Sequence, residues 1–188
     1  MNSTPASHEM DPVRELRVRA EVLHKRLVAG DARARSRLRA LHEHRHADDA
    51  SLVMLATNVR RKHCLAVAAR ECGFTSWEHA CRVLQGDSRE LDFGTLLYGE
   101  ASGTLNQWSA SYEEARETLD LSAPAPRMYL LAYKRHFFVA NVDFIRELMI
   151  DPDDPDWRAI GWDWVRPTYP QARARLYYKR IVSTRATL

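Results

Sequence analysis

The amphipathic pattern of this chain changes period once, at Gly86, and that change limits the folds open to it more than any other feature. Up to Gly86 apolar residues recur every three or four positions, the spacing of helices with one buried face. Asp11-Pro12 pairs a capping residue with proline at the first helical position, Leu16, Ala20, Leu23 and Leu27 supply a stripe, and Gly30 supplies a stop. Asp31 caps a second, arginine-rich helix with Ala34, Leu38 and Leu41 inward, which runs into His42-Glu43-His44-Arg45-His46. A short apolar segment spans residues 50–56, and a helix over 59–72 turns Cys64, Leu65, Val67, Ala68 and Cys72 inward. Thr75 with Glu78 forms a capping box that opens a last helix, ending at Gly86.

Beyond Gly86 helices alternate with short apolar runs of strand character. Residues 128–133 are the best strand candidate and 136–140 continue it as a second strand or a bent extension, while 93–98 and 104–108 flank Gly99 and Gly103 as an expected hairpin. Ser111 caps a helix. Asn141 caps another that buries Phe144, Ile145, Leu148 and Met149. Asp154-Pro155 opens a short turn closed by Gly161, residues 162–165 are extended, and 169–182 form a final helix. The expectation is an α+β protein in three parts. A loose tail over 1–10 precedes a helical module of four to five helices over 11–86, and a small α+β domain with a short antiparallel sheet fills 87–188.

Charge divides at the same place. The chain carries 28 Lys and Arg against 25 Asp and Glu, but residues 1–86 hold 15 against 10 and residues 87–188 hold 13 against 15. With 45% hydrophobic and 28% charged residues, the chain can bury a core, which excludes wholesale disorder. No apolar run approaches the roughly 20 residues of a membrane span, and the amino terminus lacks a secretory segment, so a cytoplasmic address without membrane partners is expected. Cys64, Cys72 and Cys81 are odd in number and share one helical stretch, which argues against a disulfide framework.

Within residues 27–84, Ala29-Gly30-Asp31-Ala32 leads to Arg37-Leu38-Arg39-Ala40-Leu41-His42 and then to Ala68-Ala69-Arg70-Glu71-Cys72-Gly73-Phe74-Thr75-Ser76-Trp77. This span resembles a helical module that precedes ankyrin repeats and other domains in many bacterial proteins, although no ankyrin period follows it here. The resemblance implies an all-helical fold and an adaptor role, and it brings no catalytic residues. The motif also has a physical reading as a tight corner, with Gly73 at positive φ, Phe74 packed back and Trp77 wedging the two helices.

Four constellations were candidates for chemistry. His42 and His46, with His44 and either Asp48 or Asp49, have metal-ligand spacing but also suit a solvated helix end; Cys72, His79 and Cys81 suit packing at the corner better than a metal. Neither set is assigned a metal. The carboxylates of Asp151, Asp153, Asp154 and Asp156 read as tandem helix caps, because prolines and the lack of glycine keep such a loop from wrapping a cation. The fourth is aromatic. Trp162 and Trp164 project to one side of an extended segment with Asp163 on the other, and together with Trp157, Tyr129, Tyr133, His136 and Arg166 they are the expected partner or ligand pocket, or else the core of a small domain.

Nucleophile elbows, phosphate-binding glycine loops and dinucleotide fingerprints are absent, and no cofactor is indicated. The leading expectation is a non-enzymatic adaptor that binds a protein partner through its aromatic α+β domain. The alternative is an enzyme or small-ligand-binding protein with its site in that domain, where His136, Asp163 and Tyr133 would be the polar groups. The third is nucleic-acid binding by the basic helices, with Arg33, Arg35, Arg37 and Arg39 spread around one of them; a DNA-reading corner is disfavoured because the helix after Gly73 opens with Trp77-Glu78-His79.

Overall fold

The structure is a computed structural model that describes residues 10–98, 106–122 and 127–184. Among these residues are nine α-helices and one three-stranded antiparallel sheet, the α+β class expected. No helix is long and apolar enough to cross a membrane. The chain divides into two compact units, Val13–Cys81 and a second built from Arg82–Leu188.

The helical unit contains α1 (Pro12–Val28), α2 (Ala32–Ser36), α3 (Asp49–Ala56), α4 (Arg61–Glu71) and the start of α5 (Trp77–Gln85). Leu16, Ala20, Leu23 and Leu27 are all buried on α1, and the core continues through Leu38, Leu52, Cys64, Val67 and Ala68. Asp31 accepts from the Ala34 amide and Asp48 from that of Ser51, each closing one of the unpaired donors at a helix start. Two details depart from expectation. The arginine-rich helix is only five residues long, because Ser36 Oγ donates to the Arg33 carbonyl and Leu41 is extended, so 3-10 turns over Arg37–Ala40 and His42–His44 replace its continuation. The cap of α5 is Ser76, whose Oγ accepts from the His79 amide, rather than a Thr75 and Glu78 box. Buried His79 then faces the Thr75 amide and hydroxyl through Nδ1 at 3.1 and 2.9 Å, and packs edge-on against Phe74.

The division between units falls inside α5, after Cys81, earlier than the change of pattern at Gly86. Arg82 explains this locally: its Nε donates to Glu90 and its carbonyl accepts from the Asp87 amide, tying the last turn of α5 to the segment beyond it.

In the α+β unit, β1 (Gln107–Ser109), β2 (Met128–Tyr133) and β3 (His136–Asn141) lie in the order β1-β3-β2. Tyr133 opposes His136 across a two-residue turn in which Lys134 takes a left-handed φ of +53°. The expected pairing of 93–98 with 104–108 is corrected: β1 pairs with β3, and Phe93 and Gly94 instead exchange backbone hydrogen bonds with Lys134. Gly99 and Gly103 lie outside the described residues. Helix α6 (Tyr112–Leu121) covers one sheet face, setting Ala115 and Leu119 against Leu130 and Val139. After α7 (Val142–Glu147), Met149 is exposed at a left-handed φ and Ile150 is buried in its place, again unlike the expectation.

Helices α8 (Pro155–Ala159) and α9 (Pro170–Ser183) hold the other side. Asp156, nearly buried, receives both Arg175 and Lys179, and Lys179 also reaches Asp154, so an ion cluster locks α8 to α9. The tandem Asp-Pro segment thus does cap a helix, since Asp154 accepts from the Asp156 amide.

Candidate functional site

A cleft of about 660 Å³ in the α+β unit opens between the segment after α5 and the loop that leads into α9. Local backbone chemistry shapes one wall. Asp163 is 2% exposed, and its Oδ1 accepts the amides of Val165 and Arg166 at 2.9 Å, curling the chain into a tight turn. Its Oδ2 accepts the Tyr112 hydroxyl at 2.6 Å and faces Arg116 at 3.4 Å. Four donors thus answer a carboxylate buried this deeply. The turn lays the Arg166 guanidinium over the Tyr112 ring, 3.8 Å from its centroid, and sends one nitrogen to Glu113.

The back of the cleft is held by Arg173, buried at 8% exposure, which donates to the carbonyls of Trp164 and Val165. Its guanidinium lies so near Gly86 that a Cβ there would stand 2.6 Å from Nη2, and Gly86 also has a φ of +76°. The positive φ favours glycine here, and any side chain would have to push the Arg173 guanidinium aside. Phe137, from the sheet, meets Phe93 and Tyr112 edge to face and forms the apolar floor, while Arg135 stands at the rim beside Leu91. The Arg135 side chain makes no hydrogen bond or ion pair among the described residues.

Proton chemistry at this site is constrained. Burial, reinforced by the hydrogen bond to Asp163, pushes the Tyr112 hydroxyl up to about 12, so it stays protonated near neutrality and its proton is committed to Asp163. Glu90 accepts Arg82 Nε and the Asp92 amide, and Asp87 accepts Arg89. What the arrangement offers a ligand is an apolar slot with cations at its edge.

The eight residues expected to form one aromatic pocket lie in several places. Tyr129, Trp157 and Trp164 are fully buried and stack in series with Tyr177, at centroid separations of 4.8, 5.3 and 4.9 Å. Tyr133 belongs to a second cluster with Tyr98, Trp108 and Phe138, and His136 is exposed at the start of β3. Trp162 is half-buried and lines a smaller hollow of about 280 Å³ with Trp157, Arg127 and Arg158. Only Asp163 and Arg166 shape the large cleft.

The reason is the backbone at Trp162. Gly161 and Trp162 are both left-handed, at +67° and +55°, so residues 162–164 are not a regular extended run and the two indoles do not share a side. The Trp162 carbonyl accepts the Leu130 amide and the Trp164 amide donates to the Leu130 carbonyl, which pins the segment along β2. Sequence reading missed Phe93, Tyr112, Arg135, Phe137 and Arg173. Tyr112, immediately after the helix cap Ser111, and Phe137, one step out of phase with buried Phe138, carried the only local signals.

Metal-ligand geometry is likewise dispersed: among the described residues no group of three His, Cys, Asp or Glu side chains could hold an ion. His42 and His46 do not share a helix face, since the 3-10 turn ends at His44, and Cys64 and Cys72 are buried with Cys81 partly so. Burial pushes the Cys64 thiol up to about 11, an unreactive state. Comparison with known proteins places the chain beside none of them: no family model, no curated protein and no solved structure matches it.

Proposed function

We propose that the α+β unit is a binding domain for a small organic anion with a flat apolar body, and that the chain acts without catalysing a reaction. The carrying observation is the cleft floored by Phe137 and Phe93 and edged by Arg135 and Arg166. Its volume of about 660 Å³ falls within the roughly 300–1,000 Å³ of small-molecule sites. The Arg135 fork is unspent among the described residues, and a guanidinium fork pairs with a carboxylate in two parallel bonds. In this reading the helical unit is the adaptor half implied by its resemblance to the bacterial module.

A second reading, docking of a protein partner, is favoured by Trp108, which is 46% exposed on the end strand of the sheet. Large exposed aromatics anchor interfaces. One experiment separates the two. Native mass spectrometry of the full chain purified from cells is expected to show a ligand of a few hundred daltons that is lost in Arg135→Glu and kept in Trp108→Ala. A protein partner lost in Trp108→Ala and kept in Arg135→Glu would transfer the assignment to the sheet edge.

A further inference from the structure

The helical unit concentrates the positive charge of the chain: residues 13–81 hold 14 Lys and Arg against eight Asp and Glu, and 12 of the 14 are arginine. Three of these, Arg39, Arg45 and Arg70, converge with His42 on one cleft of about 520 Å³, bounded by the 3-10 turns on one side and by Gly73, Phe74 and Thr75 on the other. The extended Leu41 separates two 3-10 turns, with Arg39 in the first, His42 opening the second and Arg45 at its end, and Arg70 reaches the same cleft from α4.

Arg70 is the fixed member. It is half-buried in the wall, donating Nε to the Thr75 carbonyl at 3.3 Å and Nη1 to the Ala40 carbonyl at 3.4 Å. Its nearest carboxylate, Glu43, stands off at 3.7 Å with 60% of its side chain exposed. Arg39 donates to the Ala47 carbonyl and to Asp49, whose side chain is 94% exposed. The Arg45 side chain has no hydrogen bond or ion pair among the described residues, and His42 has no side-chain hydrogen bond. Three guanidinium groups are therefore answered by two solvated carboxylates, each worth little as a surface pair. The carbonyls at the end of α4, which would repel an anion, are already taken: the Ala69 carbonyl accepts from Phe74 and that of Arg70 from Gly73.

We propose that this cleft binds a phosphate group, with Glu43 as the internal carboxylate that the phosphate displaces from Arg70. Three forks around one cavity exceed what a carboxylate, satisfied by a single fork, can use; the three oxygens and up to two charges of a terminal phosphate match them. The cavity is larger than a phosphate alone, so the group arrives attached to more, either in a small phosphorylated molecule or in a nucleic-acid backbone. Phe74 is 2% exposed and offers no face for stacking, so the phosphate is read and any attached base is not. The inference is independent of the α+β cleft.

The full chain is titrated with pyrophosphate by calorimetry and with a fluorescein-labelled single-stranded RNA by anisotropy, from about 50 to 200 mM salt. Arg45→Glu is expected to weaken whichever probe binds by about tenfold or more, and Glu43→Gln to tighten it about two- to threefold, since the first reverses and the second removes a charge beside the phosphate. Arg26→Glu makes the same charge change on α1, outside the cleft, and is expected to cost less than about twofold at physiological salt. Arg45 is exposed and unpaired, so its variant keeps the fold, which circular dichroism verifies. Saturable one-to-one pyrophosphate binding that displaces the RNA identifies a small phosphorylated ligand; RNA binding that pyrophosphate does not displace and that falls steeply with salt identifies a nucleic-acid backbone. Failure of both probes at the lowest salt, equal losses in Arg26→Glu and Arg45→Glu, or weaker binding in Glu43→Gln overturns the proposal.

Discussion

The helical unit is filled by Leu, Ala, Val and Cys side chains, whereas six of the largest buried side chains of the α+β unit are rings: Trp157, Trp164, Tyr129, Tyr177, Phe138 and Phe144. The difference teaches how each unit distributes its stability. Four helix stripes meeting through small residues spread burial over many positions, each contributing a modest amount. A three-stranded sheet has little area of its own, so the rings on one side of it must supply the buried surface in a few large pieces. Polar ties follow the same division. In the helical unit Arg19 pairs with Glu15 one turn away, and Arg37 grips Glu71 with both fork nitrogens. In the α+β unit it is single carboxylates that collect several donors: Asp156 takes two cations from α9, and Asp163 takes a hydroxyl, two amides and a guanidinium.

The sharpest attack on this contrast is Trp164→Ala. Its indole is fully buried between Trp157 and Tyr177, so truncation opens a large cavity and is expected to cost about 3–5 kcal/mol. Leu52→Ala, equally buried among smaller neighbours, is expected to cost about 2–3 kcal/mol. Urea unfolding of the full chain followed by circular dichroism compares the two. A Trp164 loss no greater than that of Leu52 would break the contrast.

Asp156→Asn comes next, expected to cost about 3 kcal/mol because it strands Arg175 and Lys179 beside an uncharged amide. Burial alone would push the Asp156 carboxyl up, but hydrogen bonds and charge from Arg175 and Lys179 outweigh it and leave it below the ordinary carboxylate range. With its folded value depressed, Asp156 contributes its stability in full above about pH 4, the unfolded value, and loses it as pH falls through the folded value. The Asn variant should therefore show a flatter fall in stability on acidification. Parallel curves for the two proteins would remove the cluster as the lock between α8 and α9.

How far the sequence foretold this follows from the range of the forces involved. Helix stripes and caps are local, so Leu16 to Leu27, Asp31, Ser111, Asn141 and Asp154-Pro155 all lie where their spacing puts them. The β2 and β3 strands were also legible, as short apolar runs rich in aromatic and branched residues. Sheet partnership was not, because β1 pairs with a strand some thirty positions away and nothing local encodes that choice. The candidate cleft was legible only through Asp163 and Arg166. Its floor depends on Phe137 emerging opposite to Phe138, and the expected pocket dissolved because Trp162 adopts a left-handed φ that a bulky residue rarely takes. The basic cleft was hidden for a related reason: Arg70 joins Arg39 and Arg45 from α4, far along the chain, and nothing local encodes that meeting.

A smaller effect tests whether the shared carboxylate is specific to the α+β unit. Tyr112→Phe removes one of four donors to Asp163 while keeping the ring beneath Arg166, and is expected to cost about 1–2 kcal/mol. Asp163 retains Val165, Arg166 and Arg116, so the turn should persist. Chemical denaturation measures the loss, and a cost above about 4 kcal/mol would mean that the wall of the cleft depends on the hydroxyl alone.

The smallest effect falls on the residue that the corner motif makes most conspicuous. A tight corner with Trp77 in its second helix suggests a buried wedge, and a buried indole would cost about 3–5 kcal/mol on truncation. In the structure the wedge is Phe74, 2% exposed and braced by His79, while Trp77 is half-buried with the Arg17 guanidinium 5.9 Å from its ring centroid. Cation–ring contacts of this exposed kind contribute about 0.5–1 kcal/mol, and the covered half of the indole adds a similar amount. Trp77→Ala is therefore expected to destabilise by about 1–2 kcal/mol, and Phe74→Ala by about 3 kcal/mol or more. Thermal unfolding of both variants ranks them. If Trp77 proved the costlier of the two, the corner would be held from its outer side, and the helical unit would share with the α+β unit its reliance on one large ring.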